Sequence, residues 1–266
     1  MKSDTQVHLQ VDTARIVATG ISDTGNVRSE NEDAIFLDEA GTFLLLADGM
    51  GGHERGAEAS QTALQVIQKY FQPEVVQEKL MDITKVEGVP AEVVCFSTLA
   101  AEAVDEANFI LYTRNQEAQL KRFMGTTVVG LVAVKEEDYM LWFHVGDSRL
   151  YRWRNANLEC LTSDHSAYAK WVKEGRQGTE PSKNIITKAI GPNAASSADV
   201  GWEKGQTDDI YILCSDGLTD MITDDHIAEI LKAEDNVDDI AKQLVDAAKE
   251  AGGKDNTSTI VCSMSP

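Results

Sequence analysis

Residues 43–56 read FLLLADGMGGHERG. The apolar run suits a buried strand, yet it delivers the carboxylate of Asp48 onto a turn of glycines, with His53 just before the next element. From Glu54 to Phe71 the spacing shifts to the helical period and puts Ala57, Ser60, Leu64, Ile67 and Phe71 on one stripe. The stretch therefore predicts a strand, an acid-bearing glycine turn and a helix. A dinucleotide-binding turn is excluded, because Glu54 stands where the third glycine of GxGxxG belongs and Asp48 would add negative charge beside a pyrophosphate. A metal site fits better. Beside the acid, Gly49 has no side chain to keep a cation from its backbone carbonyl.

Two more strands end in the same manner, IYILCSD at Asp216 with Gly217 behind it and LWFHVGD at Asp147. One Asp-Gly after a strand is a plain turn, since Asp bonds its own backbone and glycine supplies positive φ. Repetition along one chain points instead to a site. Asp255 in GGKDNTSTIV and the pair Glu32–Asp33 in SENED, just before the strand AIFLD, are further candidates. Carboxylates at the ends of neighbouring central strands repel one another unless protonated or neutralised by cations. Hard oxygen donors in this number suit Mg2+ or Mn2+, and a binuclear centre is plausible chemistry for them. Competing signatures are missing from the sequence: no GxxxxGK[ST] loop, no GxSxG elbow and no HExxH pair. GDSRL at 146–150 looks like a serine-esterase motif but lacks the Asp-x-x-His partner late in the chain.

The 266 residues, 42% hydrophobic, can bury one large core, or two small ones, without disulfides or metals. A net charge of −20, from 24 basic and 44 acidic side chains, argues against a nucleic-acid partner. No apolar run reaches the roughly 18 residues of a membrane span, and the polar start MKSDTQVHLQVDTAR lacks a secretory signal, so no membrane association and a soluble, cytoplasmic protein are expected. The four cysteines form no CxxC pair and read as free thiols, with no disulfide and no zinc site. Residues 1–13 read as an N-terminal tail and 14–266 as a single domain. After the early strands ARIVATGIS, AIFLD and TFLLLAD come a helix from about Ala91 to Leu120 and a meander of TTVVGLVAV, DYMLWFHVG, SRLYRWR and NLECL. DVGWEK and DIYILCS, helices on Ile227 to Leu231 and Val237 to Val245, and a last strand TSTIVCS complete the pattern. Antiparallel runs with helices in pairs favour an α+β sheet sandwich clad in helices over a doubly wound sheet.

Taken in order, SDTGNVRSENED, LLLADGMGGHERGAEAS, MGTT, HVGDSRLYR, LTSDHS, NIITKAIG, ILCSDGLTD and GGKDNTSTIV resemble the metal-dependent serine/threonine protein phosphatases of type 2C in their compact bacterial form. The likeness runs from about residue 15 to 262. It implies a four-layer α-β-β-α sandwich, two central antiparallel sheets flanked by helix pairs, with the metal site in a cleft at one end. It further implies that Asp48 bridges two Mg2+ or Mn2+ ions, that Gly49 lends its carbonyl to one, and that Asp216 and Asp255 complete the other. Glu32 and Asp33 would hold metal-bound waters, and Asp147 with Asp216 would bind a third, weaker metal. In this family a metal-bridging hydroxide attacks the phosphorus of phosphoserine or phosphothreonine directly; Arg28 matches the phosphate-binding arginine and His53 the general acid. Phosphorylated proteins, substrates of a eukaryotic-like Ser/Thr kinase, are the implied partners, and a monomer is expected.

Where the family places a flap, at about 166–184, this chain has GTEPSK in place of the acidic-alanine stretch and His-Pro of many bacterial relatives. Residues 72–98 form a longer connection than the motifs require. The competing functional reading is a metal-binding pseudophosphatase that recognises phosphoproteins without hydrolysing them; the filled acid positions, Arg28 and His53 favour the enzyme. Among other residues, His144 reads as a satisfied core histidine, His165 as a bond to loop backbone, Gly125, Thr126 and Thr127 as packing, and Asp164 and Asp220 as ordinary loop acids.

Overall fold

The computed structural model describes residues 6–13, 16–51, 55–84, 86–134 and 138–264. Among these, β1 (Val7–Asp12), β2 (Ile16–Asp23), β3 (Asp33–Leu37) and β4 (Phe43–Met50) precede the helices α1 (Arg55–Tyr70), α2 (Pro73–Asp82) and α3 (Ala91–Glu117). Next come β5 (Gly125–Thr126), β6 (Val128–Ala133), β7 (Tyr139–Val145), β8 (Arg149–Arg154), β9 (Asn157–Cys160) and α4 (Ala167–Lys173). The chain closes with β10 (Asp199–Lys204), β11 (Ile210–Cys214), α5 (Asp216–Thr219), α6 (Asp224–Ala233), α7 (Val237–Glu250) and β12 (Thr257–Met264).

Strand alternation builds the layers. Along β4, Phe43, Leu45 and Ala47 pack with Ala59, Ala63 and Ile67 of α1 and with Ala103, Ala107 and Leu111 of α3. Leu44 and Leu46 point the other way, into a core shared with Tyr211, Leu213, Ile260 and Cys262 of the second sheet. On that sheet's far side Ile212, Cys214 and Val261 meet Ile227 of α6 and Ile240, Leu244 and Val245 of α7. One antiparallel sheet runs β10-β7-β6-β4-β3, with β5 pairing the end of β4; the other runs β1-β2-β12-β11-β8-β9. Period-2 alternation lets each sheet bury both faces, one on its helices and one on its partner sheet.

Three sequence expectations change. The segment read as a tail supplies β1, an edge strand paired with β2 from Val7↔Ser22 to Asp12↔Val17; only Leu9 and Val11 are half-buried, so the alternation VHLQVD gives a weak signal. The connection after residue 72 contains α2, begun by Pro73, whose fixed φ suits a first helical turn. The expected meander is broken: β6 pairs β7 and β8 pairs β9, but β7 and β8 lie in different sheets. The crossing is made at Gly146, with φ +110° and no space for a side chain, since a Cβ there would lie 2.5 Å from the Thr127 side chain. Asp147 stands at that corner.

Candidate metal centre

β3 and β4 set the first two acids. Their register puts Asp33 directly opposite Asp48, at the end of the sheet where β4 turns toward α1. The Asp48 backbone is fixed on both sides: its carbonyl accepts from Thr127 N at 2.9 Å and Thr126 Oγ1 at 2.8 Å, and its amide donates to Thr127 Oγ1 at 3.2 Å. The two threonines, expected as packing, therefore also anchor the strand end that carries the acid. Asp33 is buried; Ser258 of β12 donates to its Oδ2 at 2.6 Å, while Oδ1 is buried with no hydrogen-bond partner among the described residues.

Glu32 ties the turn together. Its carbonyl accepts from Gly49 N at 3.2 Å and Ser60 Oγ at 2.6 Å, and its Oε1 accepts from Gly56 N at 3.1 Å. A Cβ on Gly49 would lie 2.6 Å from the Glu32 carbonyl oxygen and closer still to that of Gly56, so the chain crosses here only as glycine. Asn256, which the sequence reading left without a role, is a staple: its Oδ1 accepts from Glu32 N at 2.9 Å and its Nδ2 donates to Thr24 O at 3.0 Å and Glu30 O at 2.9 Å.

From the other sheet, Asp216 opens α5 directly after β11, and Asp255 precedes β12. Arg28 Nη2 donates to Asp255 Oδ2 at 2.6 Å, and both side chains are partly open to solvent. Asp147 is 7% exposed and, like Asp33, keeps a buried Oδ1 without a partner among the described residues. Asp220 was missed. It lies one helical turn beyond Asp216, its amide donating to the Asp216 carbonyl at 2.8 Å, a spacing readable in SDGLTD only once a helix is known there. Asp164, by contrast, is structural: it takes both Nε and Nη2 of Arg149, at 2.8 and 2.7 Å. His53 lies outside the described residues.

These carboxylates feel one another. Burial, followed by the charges of Asp33, Asp216, Asp147 and Asp255, holds the Asp48 carboxyl well above the usual range. Burial and then Asp216 push Asp147 up to about 7, and burial puts Asp33 at about 7 against the opposing bond from Ser258. Asp216 rises to about 6, from burial first and then Asp255 and Asp220, and burial raises Glu32. Among the described residues, the cation bonded to the group is Arg28, on Asp255. Two orphaned buried oxygens, crowded hard donors and a side-chain-free carbonyl at Gly49 fit divalent cations such as Mg2+ or Mn2+.

A second cluster does not fit a metal. Potential ligand atoms of His144, His165 and Asp199 lie within 4.8 Å of one another, with the two imidazoles stacked at 4.6 Å. The Nε2–H of His144 donates to Ser163 O at 3.1 Å, which leaves its buried Nδ1 unpartnered, so this core histidine is only half satisfied. His165 Nδ1 accepts from Gly146 N at 3.0 Å, so its proton is on Nε2, facing Asp199 Oδ2 at 3.3 Å. With that lone pair taken, and Lys188 on Asp199 at 2.7 Å, His165 clamps the Gly146 corner rather than a cation.

A family model described as Protein phosphatase 2C matches residues 26–255. Protein phosphatase PhpP of Streptococcus pneumoniae serotype 2 (strain D39) is 31% identical over 252 residues, 92% of this chain and 96% of that one. The crystal structure of the Mycobacterium tuberculosis serine/threonine phosphatase PstP superposes with a TM-score of 0.78 at 28% identity, covering 95% of this chain and 100% of that one. A PstP catalytic-domain structure in complex with two manganese ions gives 0.74 at 29% identity, over 96% and 100% of the two chains. Matched by that family model over residues 26–255, and with two antiparallel sheets that bring their acids to one end, the chain belongs to the protein phosphatase 2C family.

Proposed function

We propose that this chain hydrolyses phosphoserine and phosphothreonine in proteins at a centre of Mg2+ or Mn2+ ions. The observation that carries the reading is the convergence of Asp33, Asp48, Asp147, Asp216 and Asp255, buried enough to raise four of their carboxyls and leaving two oxygens unpartnered. Asp48, the Gly49 carbonyl, Asp216 and Asp255 are the proposed ligands of two ions, with Glu32 and Asp33 bonding the water around them. Asp147 and Asp216 are assigned to a third, weaker ion. Bound there, the ions supply Lewis acidity that brings the pKa of a water toward neutrality and screens phosphoryl charge.

The chain's own residues do the positioning. Arg28 is held at the rim by Asp255 and has further N–H donors for a phosphoryl group, in the planar fork that phosphate oxygens accept. His53 is assigned the proton for the departing alkoxide on the sequence alone. The pseudophosphatase alternative has no observation in its favour, because none of the acid positions is vacated. Phosphoproteins made by a eukaryotic-like Ser/Thr kinase are the proposed substrates, and residues 14–266 the proposed catalytic domain, acting as a cytoplasmic monomer. No helix among the described residues is long and apolar enough to cross a membrane.

Manganese-dependent release of phosphate from p-nitrophenyl phosphate and from a phosphothreonine peptide is the test. EDTA, Asp48→Ala and Asp216→Ala are each expected to cut kcat/KM at least about a hundredfold, in line with the loss of a group that stabilises transition-state charge. If the manganese-loaded protein releases no more phosphate than those variants, it is not a phosphatase.

A further inference from the structure

We propose that α4 and the loop after it form a docking face for acidic residues that flank the phosphorylated side chain of a protein substrate; this rests on the phosphatase reading above. Residues 167–188 carry five basic and two acidic side chains, in a chain with 24 basic and 44 acidic overall. The segment is thus opposite in sign to the rest of the molecule.

Its cations are placed. The Arg176 guanidinium lies 6.0 Å from the centroid of the Trp171 ring, Lys183 Nζ lies 5.3 Å from that of Tyr168, and the two rings are 5.7 Å apart. Ring faces attract cations at this range, which restrains the side chains while leaving their N–H groups to solvent. Lys173, Arg176 and Lys183 are exposed, and none forms an ion pair with a carboxylate among the described residues. Cations paired to neighbours have little field to offer a ligand; Lys173 and Arg176 keep theirs, while Lys183 also acts on Asp220.

The face adjoins the acid centre. His165, two residues before α4, donates its backbone N–H to Gly146 O at 2.9 Å, beside Asp147. Ser166 caps the helix, accepting from Ala169 N at 3.1 Å, and bridges to Ile186, so residues 167–185 leave and return at one point beside the centre. A phosphoprotein whose modified side chain enters the centre lays its neighbouring residues over this surface. Acidic neighbours are attracted here and repelled by the acidic remainder of the protein, so charge selects the flanks while the centre selects the phosphoryl group.

Three phosphothreonine peptides test this on the manganese-loaded enzyme, with the flanks glutamate, alanine or lysine. Wild type is expected to prefer the glutamate peptide over the alanine one by roughly three- to tenfold in kcat/KM at low salt, the range a few exposed charge pairs give, with the lysine peptide last. The preference fades by 0.5 M salt. In Lys173→Glu/Arg176→Glu the glutamate-to-alanine ratio falls to one or below, while kcat/KM for p-nitrophenyl phosphate is unchanged. Because the readout is a ratio, partial unfolding of the variant cancels. Equal treatment of the three peptides by wild type, or a preference that survives the charge reversal, overturns the docking face. Fluorescence-anisotropy binding of the same peptides scores it independently: loss of all hydrolysis with the binding preference intact would sink the phosphatase reading and leave this one standing.

Discussion

Gly49 is squeezed between two backbone carbonyls, those of Glu32 and Gly56, and its own amide donates to the former. A methyl group there must push one strand end away from the other, so Gly49→Ala is expected to destabilise the fold by about 1–3 kcal/mol, the usual cost of overpacking. Because the displaced backbone carries Asp48, manganese affinity should fall as well, by tenfold or more. Urea denaturation and calorimetric metal titration check the two effects separately; an alanine variant with wild-type stability and affinity would show that the turn can relax. Asp48 itself needs no such room. Its cost is burial first and then the four like charges around it, which a bound cation would offset at the end of this apolar strand.

At the scale of elements, α3 reaches beyond its helix to hold loops near the centre. Asn115 is completely buried; its Nδ2 donates to Met124 O at 2.8 Å and Gly191 O at 3.1 Å, and its Oδ1 accepts from Met124 N at 2.9 Å. Two helical turns back on the same face, Asn108 accepts from Gly191 N at 2.8 Å and donates to Asn193 O at 3.1 Å. Met124 leads directly into β5, whose Thr126 bonds the Asp48 carbonyl. Asn115→Leu fills the space but leaves three backbone groups without partners, and is expected to cost about 2–4 kcal/mol in urea unfolding, since each orphaned buried group costs roughly 1–3 kcal/mol less whatever water recovers. A weaker manganese affinity should accompany it. An unchanged midpoint would mean that the loops at 124 and 191 are held by packing alone.

Across the whole molecule, two sheets bury their acids together at one end, and the metal-free protein carries that burial, and the repulsion that follows it, as a loss of stability. Burial, with neighbouring carboxylates behind it, pushes Asp33 and Asp147 up to about 7 and Asp216 up to about 6 in the folded state, against an ordinary value of 3.8. Between about pH 4 and 7 the folded protein therefore holds protons that the unfolded chain has released, and folding stability falls as pH rises through that window. In EDTA the melting temperature is expected to be several degrees higher at pH 5.5 than at pH 7.5. Saturating manganese should remove or reverse the difference, because the ions bind the deprotonated folded state. A melting temperature that rises from pH 5.5 to 7.5 without metal would contradict the buried, mutually repelling arrangement.

The sequence by itself determined the acids and the local elements that carry them. Apolar runs ending in Asp-Gly, the period change after Glu54 and the order of motifs name Asp48, Asp147, Asp216 and Asp255, and point to two antiparallel sheets with paired helices. Such signals are local: period, turn chemistry and motif order survive without knowing what lies across the core. Only tertiary structure decided the rest. β1 is too short and too exposed to announce itself, and its strand character comes from β2 alongside. The break between β7 and β8 depends on Gly146 meeting Thr127, a contact between residues 19 apart. Asp220 acquires its place from a four-residue helix, Asn256 from loops more than 200 residues away, and Arg28 from Asp255 across 227 residues. Long-range hydrogen bonds and like-charge crowding leave no periodic trace in a chain, which is why the acids were legible and the scaffold that forces them together was not.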